Sequence, residues 1–470
     1  MRCTLVAAVA VLASFSADGR DALVGVWRGS QGPYRHEITI ARRGSGYLAS
    51  GLIYGHMTLA EAHAISRGAR PRLLLDAVRV NKPFCNQKYY VMRKDGETYR
   101  ATCQKVVRIR SPDAPTKQDL TLTLDPDGYL YGAVDSEHDY EKHIWLRRVE
   151  PPAKRKSFDI AKGATASVTC FSTPEFHFKV RVPDTFDPAV PTPVLVYFSP
   201  VGDANPMEPE TANDLGWVSV GLTEAKNGPV APIFNNREAV LFHLAAHMHI
   251  HPRRIYFSGM SGGSRSAHGS SIQRLDTCAG VIGLGAGVSG SMGLVFWEKP
   301  TFHIVGKTDM NNSEVKRLYG FLMEHGMQTE LIVHPGGHTT GRAEDRIRAM
   351  RWMEHEWFSG TDPLEKSDLP RLEELATSLA ERAEDADAPG RREACYWLWR
   401  MSVNRRKELP GTVTKRIRSL ARDPVYRREA MAGAAFKRLF GKSGGSGALR
   451  AIATRYPGTT IAGRIAAMRQ

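Results

Sequence analysis

The chain has 470 residues, of which 42% are hydrophobic and 24% are charged, a composition that excludes disorder throughout. Its length predicts about two to four domains. Residues 391–470 hold 19 basic and 4 acidic residues, so the whole net charge of +15 lies there and the first 390 residues are neutral. We therefore do not expect a nucleic-acid enzyme with a basic catalytic groove.

The N-terminus has the pattern of an export signal. Arg2 precedes an apolar run from Thr4 to Phe15, and Ser14 and Ser16 provide the small residues of a cleavage site. The run is too short to span a membrane as a helix, and no later stretch is apolar enough to do so. We predict a cleaved signal over 1–17 and a secreted or periplasmic protein. The alternative is a buried first strand.

Residues 18–150 are predicted to form an all-β module, either a sandwich or a small barrel of meanders. Asp125-Pro126-Asp127-Gly128 is a strong turn sequence. Cys85 and Cys103 could staple a hairpin in an oxidising compartment, and two separate buried thiols explain them equally well. Alternating apolar runs predict these strands: Glu37–Ala41, Tyr47–Tyr54, Lys88–Met92, Leu120–Leu124 and His143–Val149.

A linker over 151–162 begins with two prolines, and residues 163–360 then alternate strand-like and helix-length segments. This alternation predicts an α/β domain with a mostly parallel sheet covered by helices on both faces. The predicted strands are Val194–Phe198, Val218–Leu222, Ile255–Phe257, Gly280–Leu284, Thr301–Val305 and Glu330–Val333. The predicted helices are Asn236–His249, Gly263–Leu275, Asn312–Gly326 and Gly341–Phe358.

Residues 361–470 show no strand alternation and are predicted to form a separate, all-helical, basic domain. Its arginines are either solvated helix faces or a surface for an acidic partner. Arg455–Thr459, with Ala462 and Ala466, resembles the end of a tetratricopeptide-like hairpin, but a repeat array needs several such matches. The predicted helices are Leu372–Arg382, Arg391–Arg400, Thr412–Leu420, Arg427–Phe440 and Ala448–Arg455.

The segment Gly259-Met260-Ser261-Gly262-Gly263 joins a predicted strand to a small-residue helix. This is a G-x-S-x-G motif in the strand–turn–helix setting that such a nucleophile needs. A sharp turn exposes the serine hydroxyl above the sheet. The flanking glycines allow close packing, and the Gly262 N–H at the helix start can stabilise an oxyanion.

Two further residues follow later strands in the order that completes a triad. Asp309 comes just after one strand, and His338 lies in a Gly-rich loop after the next. Histidine can take a proton from serine and later return it, and a carboxylate can fix the imidazole tautomer. The order Ser, Asp, His is that of the α/β-hydrolases.

Two stretches, Tyr256–Gly263 and Pro335–His338, resemble secreted esterases of the α/β-hydrolase superfamily that are related to polyhydroxybutyrate depolymerases and feruloyl esterases. The resemblance covers about residues 165–360. It implies a central α/β-hydrolase sheet with Ser261 as nucleophile, His338 as general base and Asp309 as its orienting partner. It also implies a substrate that is an ester or an acylated polymer.

The loop Ser199-Pro200-Val201-Gly202 departs from the His-Gly or Gly-rich run of many relatives at the second oxyanion donor. Pro200 has no N–H, so Val201 or Gly202 is left as the donor. This departure keeps a non-catalytic binding protein open as an alternative to an exported carboxylic-ester hydrolase. A serine peptidase of the same fold is a second alternative.

Other polar residues compete with this triad for a functional role. His243 and His247 have a metal-ligand spacing, with His249 and His251 nearby, but no H-E-x-x-H pattern accompanies them, and we expect no metal or cofactor. Asp276 and Glu314 are the alternative acids. We expect Asp276 at the wrong edge of the sheet, and Glu314 in a helix start where acids are favoured anyway.

Overall fold

The computed structural model describes residues 22–31, 34–55, 84–110, 117–137, 141–150, 153–172, 174–288, 299–439 and 445–468. The predicted signal over 1–17 lies outside these residues. Within them, no helix is long and apolar enough to cross a membrane. The chain divides into two compact units. The first comprises residues 1–159, 167–178 and 222–249, and the second comprises 160–166, 179–221 and 250–470.

The first unit is built on a closed barrel of eight antiparallel strands, each paired with its neighbours in chain order. Alternate residues such as Ile38 and Ile40 point inward and form its core. The described barrel residues contain every predicted strand of this module. The strands are β1 Gly25–Gln31, β2 Tyr34–Arg43, β3 Gly46–Gly55, β4 Phe84–Asp95, β5 Thr98–Arg110, β6 Leu120–Asp125, β7 Tyr129–Val134 and β8 His143–Glu150.

The strand register of the barrel decides whether Cys85 and Cys103 can form a disulfide. Cys103 in β5 lies opposite Tyr90, whereas Cys85 in β4 lies opposite Arg110 at the far end of the same hairpin. Cys103 is a free, buried thiol. The disulfide across this hairpin is therefore not formed, because the register keeps the two residues apart.

Ion pairs and a hydrogen bond join the predicted linker to the barrel. Lys156 forms ion pairs with Asp125 and Asp127, each at 2.9 Å, in the turn between β6 and β7. The Lys154 N–H also donates to the Asp127 carbonyl at 2.7 Å. These residues are thus part of the first unit, and only the prolines before them lie outside the described residues.

The helix α2, Val230–His247, also belongs to the first unit, which differs from the predicted boundary at 163. The reason is an aromatic cluster. The Phe242 ring lies edge-on to Tyr129 at 5.7 Å and contacts Phe171 at 5.4 Å. Burial of these rings stabilises α2 against β7, an association that periodicity cannot reveal.

The second sheet has eight strands in the order β16-β15-β14-β13-β11-β12-β10-β9, and the strands from β11 to β16 pair in parallel. All seven residues of β14 are buried, as expected for a parallel strand covered on both faces. Its strands are β9 Thr165–Thr169, β10 His177–Arg181, β11 Thr192–Phe198, β12 Val218–Leu222, β13 Ile250–Met260, β14 Cys278–Leu284, β15 Thr301–Gly306 and β16 Thr329–His334.

The helices of the second unit match the predicted ones closely, with two additions: the short helix α1 after β11, and the last helix, α11. They are α1 Pro209–Asp214, α3 Gly262–Gln273, α4 Asn312–Glu324, α5 Ala343–Ser359, α6 Leu369–Glu384, α7 Arg391–Asn404, α8 Gly411–Leu420, α9 Pro424–Lys437, α10 Gly445–Arg455 and α11 Thr460–Ala467. A single 3₁₀ turn, Lys366–Asp368, leads into α6.

The helices α6 to α11 share one hydrophobic core with the parallel sheet. Trp352 of α5, Trp397 of α7 and Ile461 of α11 belong to the same buried cluster as Phe302 and Leu331 of the sheet. This differs from the separate C-terminal domain predicted over 361–470. Each of these helices buries apolar residues in that shared cluster, so the helices and the sheet form one compact body.

Several arginines of this basic region are buried rather than solvated. Arg464 pairs with Glu330 at 2.8 Å, and Arg400 pairs with Glu356 at 2.6 Å. A buried charge is tolerated only with a partner, so these pairs fix how the helices meet the sheet. Part of the positive charge predicted to face solvent is therefore internal.

We predict a pH-dependent effect at Glu429 in α9, whose carboxylate accepts the Thr460 N–H at 3.0 Å. Burial raises the pKa of Glu429 to about 7. The folded state therefore holds a proton that the unfolded chain has lost, and stability falls as the pH rises from about 4.5 to 7. Glu429→Gln keeps an acceptor without charge. It should raise the free energy of unfolding at pH 8, by up to about 3 kcal/mol, and leave it nearly unchanged at pH 5.

Thermal denaturation of the parent and of Glu429→Gln at pH 5 and pH 8 measures this change in stability. Glu408→Gln, at an exposed acid, is the control and should shift neither melting temperature. An equal loss of stability at both pH values in Glu429→Gln would contradict the prediction, because an effect that does not change with pH cannot come from titration of this carboxyl group.

Candidate active site

Ser261 occupies a strained turn between β13 and α3. Its φ of 55° and ψ of −119° are sparsely populated for a residue with a side chain. The Ser261 N–H donates to the Leu284 carbonyl at the end of β14, at 2.8 Å, which holds the turn in place. The strained backbone lifts the hydroxyl above the carboxyl edge of the sheet, as a nucleophile elbow requires.

Two glycines allow this turn because the backbone packs closely around it. A Cβ on Gly263 would lie 2.1 Å from the Phe198 carbonyl oxygen, and a Cβ on Gly259 would lie 2.4 Å from the backbone of Gly263. Neither position can hold a side chain without moving β11 or α3. The two outer glycines of the motif therefore have a steric role, as expected from the sequence.

The structure brings Ser261, His338 and Asp309 together. The His338 Nε2 atom lies 2.9 Å from the Ser261 hydroxyl oxygen. The His338 Nδ1 atom lies 2.9 and 3.0 Å from the two carboxylate oxygens of Asp309. The Asp309 side chain is fully buried, and 26% of the His338 side chain is exposed. This geometry permits a proton to pass between the serine and the imidazole while the carboxylate orients the ring.

The loop that carries each partner is fixed by its own hydrogen bonds. Asp309 accepts the Asn311 N–H at 2.8 Å, and the Asn311 amide donates to the Gly285 carbonyl at 2.8 Å. His334, at the end of β16, accepts the Gly336 N–H at 3.1 Å. His334 thus shapes the loop that leads to His338. By sequence, Asn311 suits a turn or a helix N-cap after Asp309, and it is the N-cap residue of α4; its contact with the Gly285 carbonyl is visible only in the fold.

The three predicted oxyanion donors differ in their surroundings. Gly262 is the first residue of α3, where backbone N–H groups have no acceptor within the helix. The Val201 N–H already donates to the Ser199 hydroxyl at 3.2 Å, and Val201 is 82% exposed. Gly202 is buried and has a φ of 81°, which suits glycine. Of the two candidates after β11, Val201 therefore has its N–H already engaged within the loop.

The competing acids are engaged elsewhere. Glu314 in α4 forms an ion pair with Arg265 at 2.7 Å and accepts the Gly287 N–H at 3.1 Å. Asp276 lies in the turn that enters β14, at the opposite edge of the sheet from Ser261. Of the three acids, Asp309 is the one whose carboxylate lies within hydrogen-bond distance of His338.

The predicted histidine group is structural. The rings of His243 and His247 are stacked at 4.2 Å, and the His243 Nδ1 atom accepts the Phe171 N–H at 3.3 Å. Burial, with His247 nearby, lowers the pKa of His243 to about 3, so this ring is neutral. His251, in the second unit, pairs with Asp368 at 3.0 Å. Among the described residues, no group of three or more side chains could hold a metal ion.

No family model matches the sequence, and no curated protein matches it. Solved structures resemble part of the chain. A fluorophosphonate-binding serine hydrolase of Staphylococcus aureus, FphF, is 11% identical; the match covers 41% of this chain and 99% of that one, with a TM-score of 0.34. The feruloyl esterase module of Clostridium thermocellum is 12% identical, and the match covers 42% of this chain and 93% of that one, with a TM-score of 0.33. Est1E of Butyrivibrio proteoclasticus is 13% identical, and the match covers 41% of this chain and 99% of that one, with a TM-score of 0.33.

We predict that Gly263→Ala disrupts the elbow, because the added methyl group would meet the Phe198 carbonyl oxygen at 2.1 Å. Overpacking of this kind costs about 1–3 kcal/mol, so the melting temperature should fall by several degrees. The matched control is Gly463→Ala in α11, where a Cβ meets nothing within 4 Å. Because alanine is the better helix former, the control should be as stable as the parent or slightly more so.

Proposed function

We propose that this protein is a serine hydrolase of carboxylic esters, acting through Ser261, His338 and Asp309. The observation that carries the proposal is the continuous hydrogen-bonded relay, 2.9 Å from serine to histidine and 2.9 Å from histidine to aspartate. The resemblance of the Ser261 and His338 segments to secreted esterases supports the same reaction class. Export of the protein is part of this proposal and is supported by the apolar N-terminus.

The chemistry follows from these contacts. The Ser261 oxygen bonds to the ester carbonyl carbon while His338 Nε2 takes the serine proton. The electron pair of the carbonyl double bond moves onto the carbonyl oxygen. The bond to the leaving alcohol then breaks, and His338 returns the proton to that alcohol. Water repeats the two steps on the acyl-serine, which releases the acid and restores Ser261.

Two backbone N–H groups are proposed to hold the negative oxygen. Gly262 provides one from the start of α3, where the helix dipole adds to its effect. Gly202 provides the other from the loop after β11. The Val201 N–H would first have to leave the Ser199 hydroxyl, and this makes it the weaker donor.

A binding protein without catalysis remains the second candidate. It is favoured by one observation: Pro200 lacks an N–H, and the next N–H along the chain, that of Val201, is already engaged. The two candidates differ at Ser261, because only an activated serine reacts covalently with a fluorophosphonate.

We predict that Ser261→Ala abolishes hydrolysis of a short-chain p-nitrophenyl ester, with a loss of at least about 10³-fold, and also abolishes fluorophosphonate labelling. The matched control is Ser266→Ala on the same helix, whose hydroxyl only donates to the Gly262 carbonyl at 3.1 Å. The control should keep both activities within a few-fold. Turnover that survives in pure Ser261→Ala would refute the assignment, and a wild-type protein that neither labels nor hydrolyses would support the binding protein.

We predict that Asp309→Asn lowers the rate by about 10²–10⁴-fold, because an amide favours the wrong imidazole tautomer and cannot balance its positive charge. His338→Ala should lose most of the rate, because Ser261 then lacks the base that takes its proton. The controls are Asp276→Asn and Glu314→Gln, which should change kcat/KM by no more than a few-fold. A collapse in either control, with Asp309→Asn near the parent, would transfer the orienting role to another acid.

A further inference from the structure

The second unit contains a cavity of about 670 Å³ that the proposed reaction does not use. Ala279, Pro300 and Gln328 line it, and these residues lie where β14, β15 and β16 begin. The triad lies beyond the carboxyl ends of the parallel strands: Ser261 follows β13, Asp309 follows β15 and His338 follows β16. A seven-residue strand is about 20 Å long, so the cavity and the triad lie at opposite edges of the sheet.

Three aromatic residues lie in the wall of the cavity, among polar, charged and small residues. Trp357 of α5 and Tyr396 and Trp399 of α7 line it, and Val403 lines it as an exposed apolar side chain. The Trp399 ring packs against Gly433 of α9, where a Cβ would lie 2.1 Å from the ring. Only a glycine there lets the ring occupy this position. A cavity of this size with aromatic walls suits a small flat molecule.

One polar group in this wall has no use in the protein itself. Trp357 is 4% exposed, and its Nε1–H has no hydrogen-bond partner in the part of the chain that the structure describes. An indole N–H that is buried usually finds an acceptor. This N–H is enclosed by the protein, where the indole ring packs against His251 and Arg254, so Trp357 contributes apolar surface to the wall rather than a donor.

The charges around the cavity leave an excess of positive charge. Arg400 is neutralised by Glu356 at 2.6 Å, and Lys299 faces Asp362 at 3.7 Å. Two further cations, Lys437 and Arg438, line the cavity where α9 ends. The Lys437 ammonium donates to the Asn404 amide oxygen at 3.1 Å, and the Arg438 Nε–H donates to the Ala434 carbonyl at 3.3 Å. Both acceptors are neutral, so these two charges remain available to an anion.

We propose that this cavity is a second ligand site, which binds a small aromatic carboxylate or an aromatic anion of similar shape. The ring of the ligand lies among Trp357, Tyr396 and Trp399, and its anionic group meets Lys437 and Arg438. Charge-assisted hydrogen bonds from two cations select the anion, while the aromatic wall selects a flat body. The site is independent of the triad, and the proposal does not need the protein to be a hydrolase.

The test uses 8-anilinonaphthalene-1-sulfonate, an aromatic anion that fluoresces when bound, titrated into the full-length protein. We expect one saturable site, with 2-naphthoate displacing the probe and the neutral alcohol naphthalene-2-methanol displacing it at least about tenfold less well. Ser261→Ala should bind the probe as the parent does. This variant keeps the result separate from that of the proposed reaction.

Lys437→Ala with Arg438→Ala should weaken binding by at least about tenfold at an unchanged melting temperature. The matched control changes another adjacent Lys-Arg pair, Lys316→Ala with Arg317→Ala in α4, and should leave the affinity within about twofold. Val403→Trp, which places a large ring in the cavity from a half-exposed position, should block binding.

Three results with the variants or competitors would overturn the proposal. They are equal losses in the two paired variants, unchanged binding in Val403→Trp, and equal displacement by the acid and the alcohol. Absence of saturable binding by the parent would do the same. If Val403→Trp fails to fold, the two paired variants still decide the matter, because each changes only exposed or half-exposed side chains.

Discussion

The candidate site depends on the parallel register of four neighbouring strands, β13 to β16. Because these strands run in one direction, the residues that follow β13, β15 and β16 all emerge at the same edge of the sheet. Ser261, Asp309 and His338 meet there although the described part of the chain between them contains three strands and two helices. The relay of hydrogen bonds is therefore a consequence of strand direction, and the loops only adjust it.

The strained turn at Ser261 shows how the surrounding packing maintains this arrangement. Its backbone conformation costs free energy, and the Leu284 carbonyl and the close contact between Gly263 and Phe198 hold it. Both supports come from neighbouring strands. The serine is thus positioned by the sheet rather than by its own loop, which suits a group that must stay aligned with His338.

Buried ion pairs join the C-terminal helices to the same sheet. Arg254 of β13 contacts Glu354 of α5 and Asp368 of the turn before α6, and Arg464 of α11 reaches Glu330 of β16. Such pairs contribute little net stability when desolvation is counted, but an unpaired buried charge is costly. They therefore favour one arrangement of helices over others. The same arrangement places the aromatic residues of α7 beside the amino edge of the sheet, where the cavity lies.

The sequence by itself determined most of the helices and strands and the order of the triad. Alternating apolar residues and turn sequences predicted the strands, and the Gly259–Gly263 motif between a strand and a helix predicted the position of Ser261. Asp309 and His338 could be chosen because each follows a strand in a short loop. These patterns are local, and local backbone preferences decide them.

Only the tertiary structure decided which segments share a core. Helix α2 packs with the barrel through Phe242, and the basic C-terminal helices pack with the sheet, so the predicted domain boundaries differ from the compact units. Tyr319 donates a hydrogen bond to the Arg464 carbonyl from 145 residues away. The sequence does not carry the partner of a buried ring or charge in any local pattern, because that partner is chosen by the packing of the whole unit.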